Sequence, residues 1–240
     1  MTSHAQKTAF VAGASGAIGK VLCRLLLRDG WVVHGATRSQ SNAVELQALG
    51  VIPAIVDVFD GDALIRHVSS ARPDVVVHQL TDLPKQFTPE SLAASRAATA
   101  RIREVGTANL VSAAVASGAK RVVAQSIAFA YAPGPQPYSE DAPLDASLHS
   151  AVIKLEELVL GSGLEGLVLR YGRLYGPNTW ASDPPDQLPV HVDAAADAAR
   201  RAMTAGRSGA YNVAEDGSVV TNHKARQELG WNPAFREATQ

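Results

Sequence analysis

A single cysteine, Cys23, is all the thiol chemistry the 240 residues contain. No intrachain disulfide can form, no cysteine-based metal site can be assembled, and no metal is expected. Net charge is almost absent: 22 basic and 23 acidic side chains sum to −1. That balance leaves no electrostatic footprint for nucleic acid or for an anionic membrane. No apolar run approaches the roughly 20 residues of a membrane-spanning helix. The polar stretch 1–7 runs directly into an apolar segment, without the charged start and cleavage site of a signal peptide. These absences leave a soluble, cytoplasmic protein with small-molecule partners as the expectation, built around one principal core.

What is present is alternation. Short β-branched runs at 8–12, 31–36, 52–56, 74–78, 121–125 and 167–170 read as strands, and the segments between them carry helical periodicity. Ile18, Val21, Leu22, Leu25 and Leu26 fall on one helix face, with Gly30 as a C-terminal cap. Further helices are expected at 43–49, at 63–70 with Asp62 as its cap, and at 89–117. Gly106 inside the last of these costs about 1 kcal/mol relative to Ala, so a close helix contact or a bend is expected there. The stretch 132–138, with prolines at 133, 135 and 137, reads as a loop, as does 176–189. Between them a helix is expected at 147–160, and the tail holds helices at 194–205 and 223–229 and a strand at 210–214. The pattern is that of an α/β Rossmann-type doubly wound parallel sheet with helices on both faces.

Gly13-Ala-Ser15-Gly16-Ala17-Ile18-Gly19 stands between the first strand and the first helix. Its first glycine permits a tight turn, the second admits a pyrophosphate close to the backbone, and the third lets helix and strand pack closely. The helix start then offers unpaired N–H groups to phosphates, which makes the loop a dinucleotide-binding element. At the end of the second strand an NAD-binding protein would place a carboxylate on the ribose 2′-hydroxyl. Here the residues are Ala36-Thr37-Arg38-Ser39. Arg38, helped by the hydroxyls of Thr37 and Ser39, suits a 2′-phosphate, so NADP(H) is expected in preference to NAD(H).

Together with Val56-Asp57-Val58, Val75-Val-Val-His-Gln-Leu80, Gly106-Thr-Ala-Asn-Leu110, Leu169-Arg-Tyr-Gly-Arg-Leu-Tyr-Gly-Pro177, Val190-His-Val-Asp193 and Asn232-Pro233, this loop makes the chain resemble the extended short-chain dehydrogenase/reductase family. That family includes nucleotide-sugar epimerases and dehydratases, and the resemblance covers nearly the whole chain. It implies a dinucleotide-binding core over 1–170 and a small, trimmed substrate-binding portion over 171–240, with 190–214 returning to the core. It also implies that Asp57, next to Val58, meets the adenine. Gln79 and Leu80 would line the cofactor, and Tyr171, Gly172 and Arg173 would meet the nicotinamide amide. The family's chemistry uses a tyrosine four residues before a lysine, plus a serine or threonine from the fifth strand. Lys154 fits the lysine, with a hold on the cofactor ribose, but the residue four before it is Ser150. Serine has no ionisation comparable to a phenol and cannot inherit the acid–base role.

Ser126 is the best hydroxyl candidate, although the alignment puts Ile127 at the catalytic place. Tyr131, Tyr138, His149 and Tyr175 lie in or beside the pocket loops, and none is singled out by sequence. The chain is also shorter than family members between Thr179 and Val190, which favours a small carbonyl or hydroxyl substrate over a nucleotide sugar. The expected activity is NADP(H)-dependent oxidoreductase or epimerase/dehydratase-like chemistry. Alternatives are a non-catalytic NADP-binding or redox-sensing protein and a redox-neutral lyase or isomerase. Helices 89–117 and 147–160 would, by the same resemblance, pair with their copies in a homodimer, or lie within a monomer.

Overall fold

The computed structural model describes residues 6–84 and 88–237, so most of the polar stretch 1–7 lies outside the described residues. In chain order the elements are β1 (Thr8–Ala12), α1 (Ala17–Arg28), β2 (Val32–Thr37), α2 (Gln40–Ala48), β3 (Ile52–Ile55), α3 (Gly61–Ala71) and β4 (Val75–His78). They continue with α4 (Pro89–Arg101), a π-helical turn (Ile102–Gly106), α5 (Thr107–Ser117), β5 (Arg121–Ile127), α6 (Ala146–Leu160) and β6 (Glu165–Tyr171). The last are β7 (Arg173–Tyr175), β8 (Pro189–His191), α7 (Val192–Ala202), β9 (Gly209–Val213) and α8 (His223–Leu229).

Seven strands form one parallel sheet in the order β3-β2-β1-β4-β5-β6-β9. The chain winds outward in one direction from β1 to β3 and then returns to place β4 on the other side of β1. That reversal opens a crevice at the carboxyl ends of β1 and β4, where ligands bind in open sheets of this kind. The central strands β1, β4 and β5 are short and largely buried on both faces, which explains their continuous Val- and Ala-rich runs, whereas Ile52 and Ile55 of the edge strand β3 are exposed.

On one face α1 packs against α7. The α1 residues Ile18, Val21, Leu22, Leu25 and Leu26 are all buried, as their spacing predicts. Ala194, Ala195, Ala198, Ala199 and Ala202 of α7 are fully buried too, and their small side chains allow close helix approach. Trp231, beyond α8, closes this layer, donating its indole N–H to Ala194 O at 2.8 Å. The other face carries α3 and α5 over Phe10, Ala12 and Val76, and α6 over Val122, Ala124 and Val168.

Several details depart from expectation. Asp60, not Asp62, caps α3, because its carboxylate accepts from Ala63 N at 2.9 Å while Asp62 already lies in the first turn. The helix expected at 89–117 is continuous but widened at 102–106, where Gly106 lies against Val58: a Cβ there would stand 3.2 Å from Val58 Cγ1. The two-stranded β7–β8 ribbon was not evident from sequence, since three-residue strands carry no measurable periodicity.

Replacing Trp231 with Ala removes a buried indole and its hydrogen bond. The expected loss is about 3–5 kcal/mol of unfolding free energy in urea. A loss below about 1 kcal/mol would mean that the tail does not contribute to the core.

Candidate active site

The crevice is a cleft of about 350 Å³ whose walls come from the ends of four consecutive strands. Ala12 ends β1 and Gly13, Ser15 and Gly16 follow it; Thr37 ends β2 and Arg38, Ser39 and Asn42 follow it. Val56, Val58 and Phe59 follow β3, Gln79, Leu80 and Thr81 follow β4, and Ile102 closes the cleft from the π-helical turn. Gly13 is at φ 88°, and a Cβ there would stand 2.6 Å from Gln79 O. A Cβ on Gly19 would collide with Gly13 O. The loop therefore tolerates only glycine at both places, and the chain from β1 to α1 lies flat against β4. Gly16 caps α1 without any side-chain hydrogen bond among the described residues, which leaves the first-turn N–H groups around Ala17 and Ile18 available to an anion. A cradle this tight, at the positive end of a helix, fits the pyrophosphate of a dinucleotide.

At the β2 corner the backbone is pinned by side chains. Thr37 Oγ1 accepts from Ser39 N at 3.2 Å, and Ser39 Oγ accepts from Asn42 N at 3.4 Å as the N-cap of α2. Asn42 Nδ2 then donates to Ser15 Oγ at 3.2 Å, linking this corner to the glycine loop. The Arg38 side chain is exposed at the cleft wall, with no hydrogen bond or ion pair among the described residues. Across from it, Phe59 is covered by the Arg101 guanidinium 4.0 Å from its ring centre. Asp57 does not line the cleft; its carboxylate accepts from Phe59 N at 3.0 Å and stabilises the turn that presents that ring.

Deeper in, Gln79 donates from Nε2 to Tyr171 Oη at 3.3 Å, while its Oε1 is buried with no partner among the described residues. Burial pushes the Tyr171 phenol above its usual range, so it stays neutral. His78 is fully enclosed and held down to about 4, first by desolvation and then by the nearby Arg103 charge. The ring is therefore neutral: Nδ1 accepts from Leu80 N at 3.1 Å, and Nε2 faces Thr107 Oγ1 at 3.1 Å. The backbone N–H groups of Gly172 and Arg173 are already bound to Val213 O and Leu188 O. Arg173 itself is exposed, its guanidinium 5.0 Å from the Phe129 ring centre.

The residues expected to act on substrate are not brought to this cleft. Ser126 faces α6 rather than the cleft, because it shares the side of β5 that carries Val122 and Ala124. Its hydroxyl donates to Glu156 Oε1 at 2.7 Å, and both residues are buried. Lys154 is exposed on the outer side of α6, its ammonium 3.8 Å from Glu157. It shares a shallow outer depression with Ser150 and Glu104. Helical spacing explains this: the inward row of α6 is Val152, Leu155, Glu156 and Val159, and Lys154 falls between its members.

The buried charge on that inward row was missed by sequence reasoning. Arg170 donates to Glu156 through Nε at 3.0 Å and Nη2 at 2.7 Å, and through Nη1 to Tyr131 Oη at 2.9 Å. Tyr131 in turn donates to Asn212 Oδ1 at 2.6 Å and stacks on Tyr138 with ring centres 4.9 Å apart. Tyr175 donates to Glu215 Oε1 at 2.7 Å. The only sequence signal for this network was Arg170 itself, an arginine inside an apolar strand.

Glu156→Ala leaves the Arg170 guanidinium buried without its counter-charge, and about 3–5 kcal/mol of stability should be lost on urea unfolding. Ser126→Ala removes one hydrogen bond to the buried Glu156 carboxylate and should cost about 1.5–3 kcal/mol of stability while leaving dinucleotide binding and turnover unchanged. A hundredfold drop in turnover would instead return Ser126 to a catalytic role.

The model of the "NAD dependent epimerase/dehydratase family" matches residues 9–204. Among curated proteins, a "3-diazoavenalumate denitrifying reductase" from Streptomyces sp. is 43% identical over 236 residues, covering 86% of this chain and 75% of that protein. Among solved structures, a UDP-glucose 4-epimerase of Thermotoga maritima with UDP-glucose superimposes with a TM-score of 0.80 at 19% identity, covering 95% of this chain and 94% of that one. The Bordetella bronchiseptica enzyme WbmG in complex with NAD gives 0.78 at 18% identity, covering 99% and 92%. A dTDP-glucose 4,6-dehydratase of Streptomyces venezuelae with NAD bound gives 0.76 at 18% identity, covering 95% and 92%. With the strand order, the glycine cradle and a family match across most of its length, this chain belongs to the NAD dependent epimerase/dehydratase family and is an NAD(P)-dependent enzyme of the extended short-chain dehydrogenase/reductase type.

Proposed function

We propose that the protein is an NADPH-dependent reductase that delivers hydride to a small, diazo-type electrophile. The observation that carries this reading is a divided site. The dinucleotide cradle is intact, whereas Ser126, Ser150 and Lys154 all point away from the cleft. Carbonyl reduction and sugar epimerisation both need a positioned proton donor or acceptor at the reacting oxygen, typically contributing about 10²–10⁴ in rate. Reductive removal of dinitrogen from a cationic aryldiazonium group does not. A nicotinamide held by the cradle would supply hydride chemistry; at the substrate one C–N bond breaks, one C–H bond forms with that hydride, the positive charge is cancelled and neutral dinitrogen leaves, so no anion remains to be protonated. The curated relative from Streptomyces, by its name a denitrifying reductase of a diazo-substituted carboxylate, supports the same class.

In this reading Gly13, Ser15, Gly16 and the first turn of α1 hold the pyrophosphate. Arg38, Thr37 and Ser39 take the 2′-phosphate, and Phe59 flanks the adenine. Gln79, Leu80 and Tyr171 line the nicotinamide end. Segment 171–240 supplies the small substrate-binding portion, and 190–214 belongs with the core.

Purified protein with NADPH and 4-carboxybenzenediazonium should consume one NADPH for each benzoate formed, well above the rate with heat-denatured protein. Tight NADPH binding without consumption, on this compound and on a carbonyl panel, would favour a non-catalytic dinucleotide-binding protein. For the cofactor, Arg38→Ala should weaken NADPH binding by about tenfold or more while leaving NADH nearly unchanged. An equal loss for both would refute the 2′-phosphate assignment.

A further inference from the structure

Gln79 Oε1 is a buried acceptor with no partner among the described residues. The residue follows β4 directly, lines the cleft and is only 6% exposed. A polar atom enclosed without a partner is unfavourable, and native proteins keep few of them without a functional reason. Gln79 cannot swing away to find one. Its backbone N–H donates to Ala12 O at 2.8 Å, and its carbonyl lies where a Cβ on Gly13 would stand 2.6 Å from it. The amide nitrogen is tethered as well, donating to Tyr171 Oη at 3.3 Å. Tyr171 is itself fixed at the end of β6, in register with Ile127 of β5 and Val213 of β9. Turning the amide over would move the shortfall from oxygen to nitrogen without closing it.

The place of this amide in the sheet indicates what closes the shortfall. The glycine cradle lies between β1 and β4, and Arg38 and Phe59 stand over β2 and β3, where the adenosine half is assigned. The other half of a dinucleotide then runs over β4 toward β5 and β6. Gln79 spans that stretch, since its backbone follows β4 and its tether ends β6. The group at the far end of the cofactor that carries N–H donors is the nicotinamide carboxamide. The backbone N–H groups of Gly172 and Arg173 are closed to it, being bonded to Val213 O and Leu188 O, so a side chain is left to recognise it.

We propose that Gln79 reads the carboxamide of the bound nicotinamide, with Oε1 accepting an N–H from that group and Tyr171 acting as the positioning residue that holds the amide in place. The contact sets the rotation of the ring about its glycosidic bond, and so the face turned toward the substrate. The assignment deepens the reductase reading and rests on its dinucleotide, not on its diazo substrate.

Binding of NADP⁺ and of its 3-acetylpyridine analogue, which keeps the carbonyl but has no N–H, tests this without any turnover. The wild-type protein should bind NADP⁺ about tenfold or more tightly than the analogue. Gln79→Met should bring NADP⁺ down to the affinity of the analogue, and Tyr171→Phe, which unties the amide, should narrow the gap. ADP-ribose 2′-phosphate, which lacks the nicotinamide, should bind wild type and both variants equally and so report an intact cradle. Equal binding of NADP⁺ and the analogue by the wild type, or a preference that survives in Gln79→Met, would overturn the proposal. An equal fall for NADP⁺, the analogue and ADP-ribose 2′-phosphate in Gln79→Met would also overturn it, by assigning the amide to the ribose or to the packing of the cradle. Wild-type protein that binds none of the three would remove the NADP reading and this assignment with it. The expected pattern of binding with no consumption of NADPH on diazo compounds would leave the carboxamide contact standing and remove the reductase reading.

Discussion

The turn from β1 into α1 holds three parts of the molecule together in a space with no room for a side chain. Gly13 lies against the carbonyl of Gln79, and Gly19 lies against the carbonyl of Gly13. The glycine loop is thereby pressed onto β4 and α1 onto the loop. A helix can begin so close to the sheet only because those positions have no Cβ. Once α1 is set, its apolar face meets the alanine row of α7, and the tail must fold back over it through Trp231. The same close approach opens the crevice between β1 and β4 and aims the free N–H groups of α1 into it. Packing and the shape of the candidate cofactor cleft thus follow from one steric condition.

A second condition governs the other side of the sheet, where a charged pair rather than a void sets the arrangement. Glu156 and Arg170 are both buried, and a lone buried charge is much costlier than a paired one. Ser126 donates to Glu156, Tyr131 Oη and the backbone carbonyl of Glu140 accept from Arg170, and Tyr131 in turn donates to Asn212. The network fixes how α6 lies on the sheet. With Glu156 turned inward, Lys154 is carried outward, and with Ser126 bonded to Glu156 its hydroxyl is committed. Neither group then reaches the cleft, whose wall carries Arg38 instead.

The strand positions were legible because buried parallel strands are short, β-branched and separated by helices of clear periodicity, as at 8–12, 74–78 and 121–125. Asp62 was mistaken for the cap of α3 because Asp60 and Asp62 are both acidic and only backbone geometry separates them. Ile102, Asn42 and Phe59 could not be assigned to the cleft from sequence. Each reaches it from a different element, and no spacing along the chain encodes that convergence.

Sequence alone determined the alternation of strands and helices, the glycine loop with its phosphate-binding geometry, and the arginine at the end of β2 in place of a carboxylate. These are local properties, carried by residues within a few positions of one another. Only the tertiary structure decided which way Ser126 and Lys154 face and which buried acceptor is left without a partner among the described residues. Successive strand residues point to opposite sides and successive helix residues turn by about 100°. A shift of one position therefore separates a side chain in the cleft from one on the outer surface, and only packing against the neighbouring elements fixes that register.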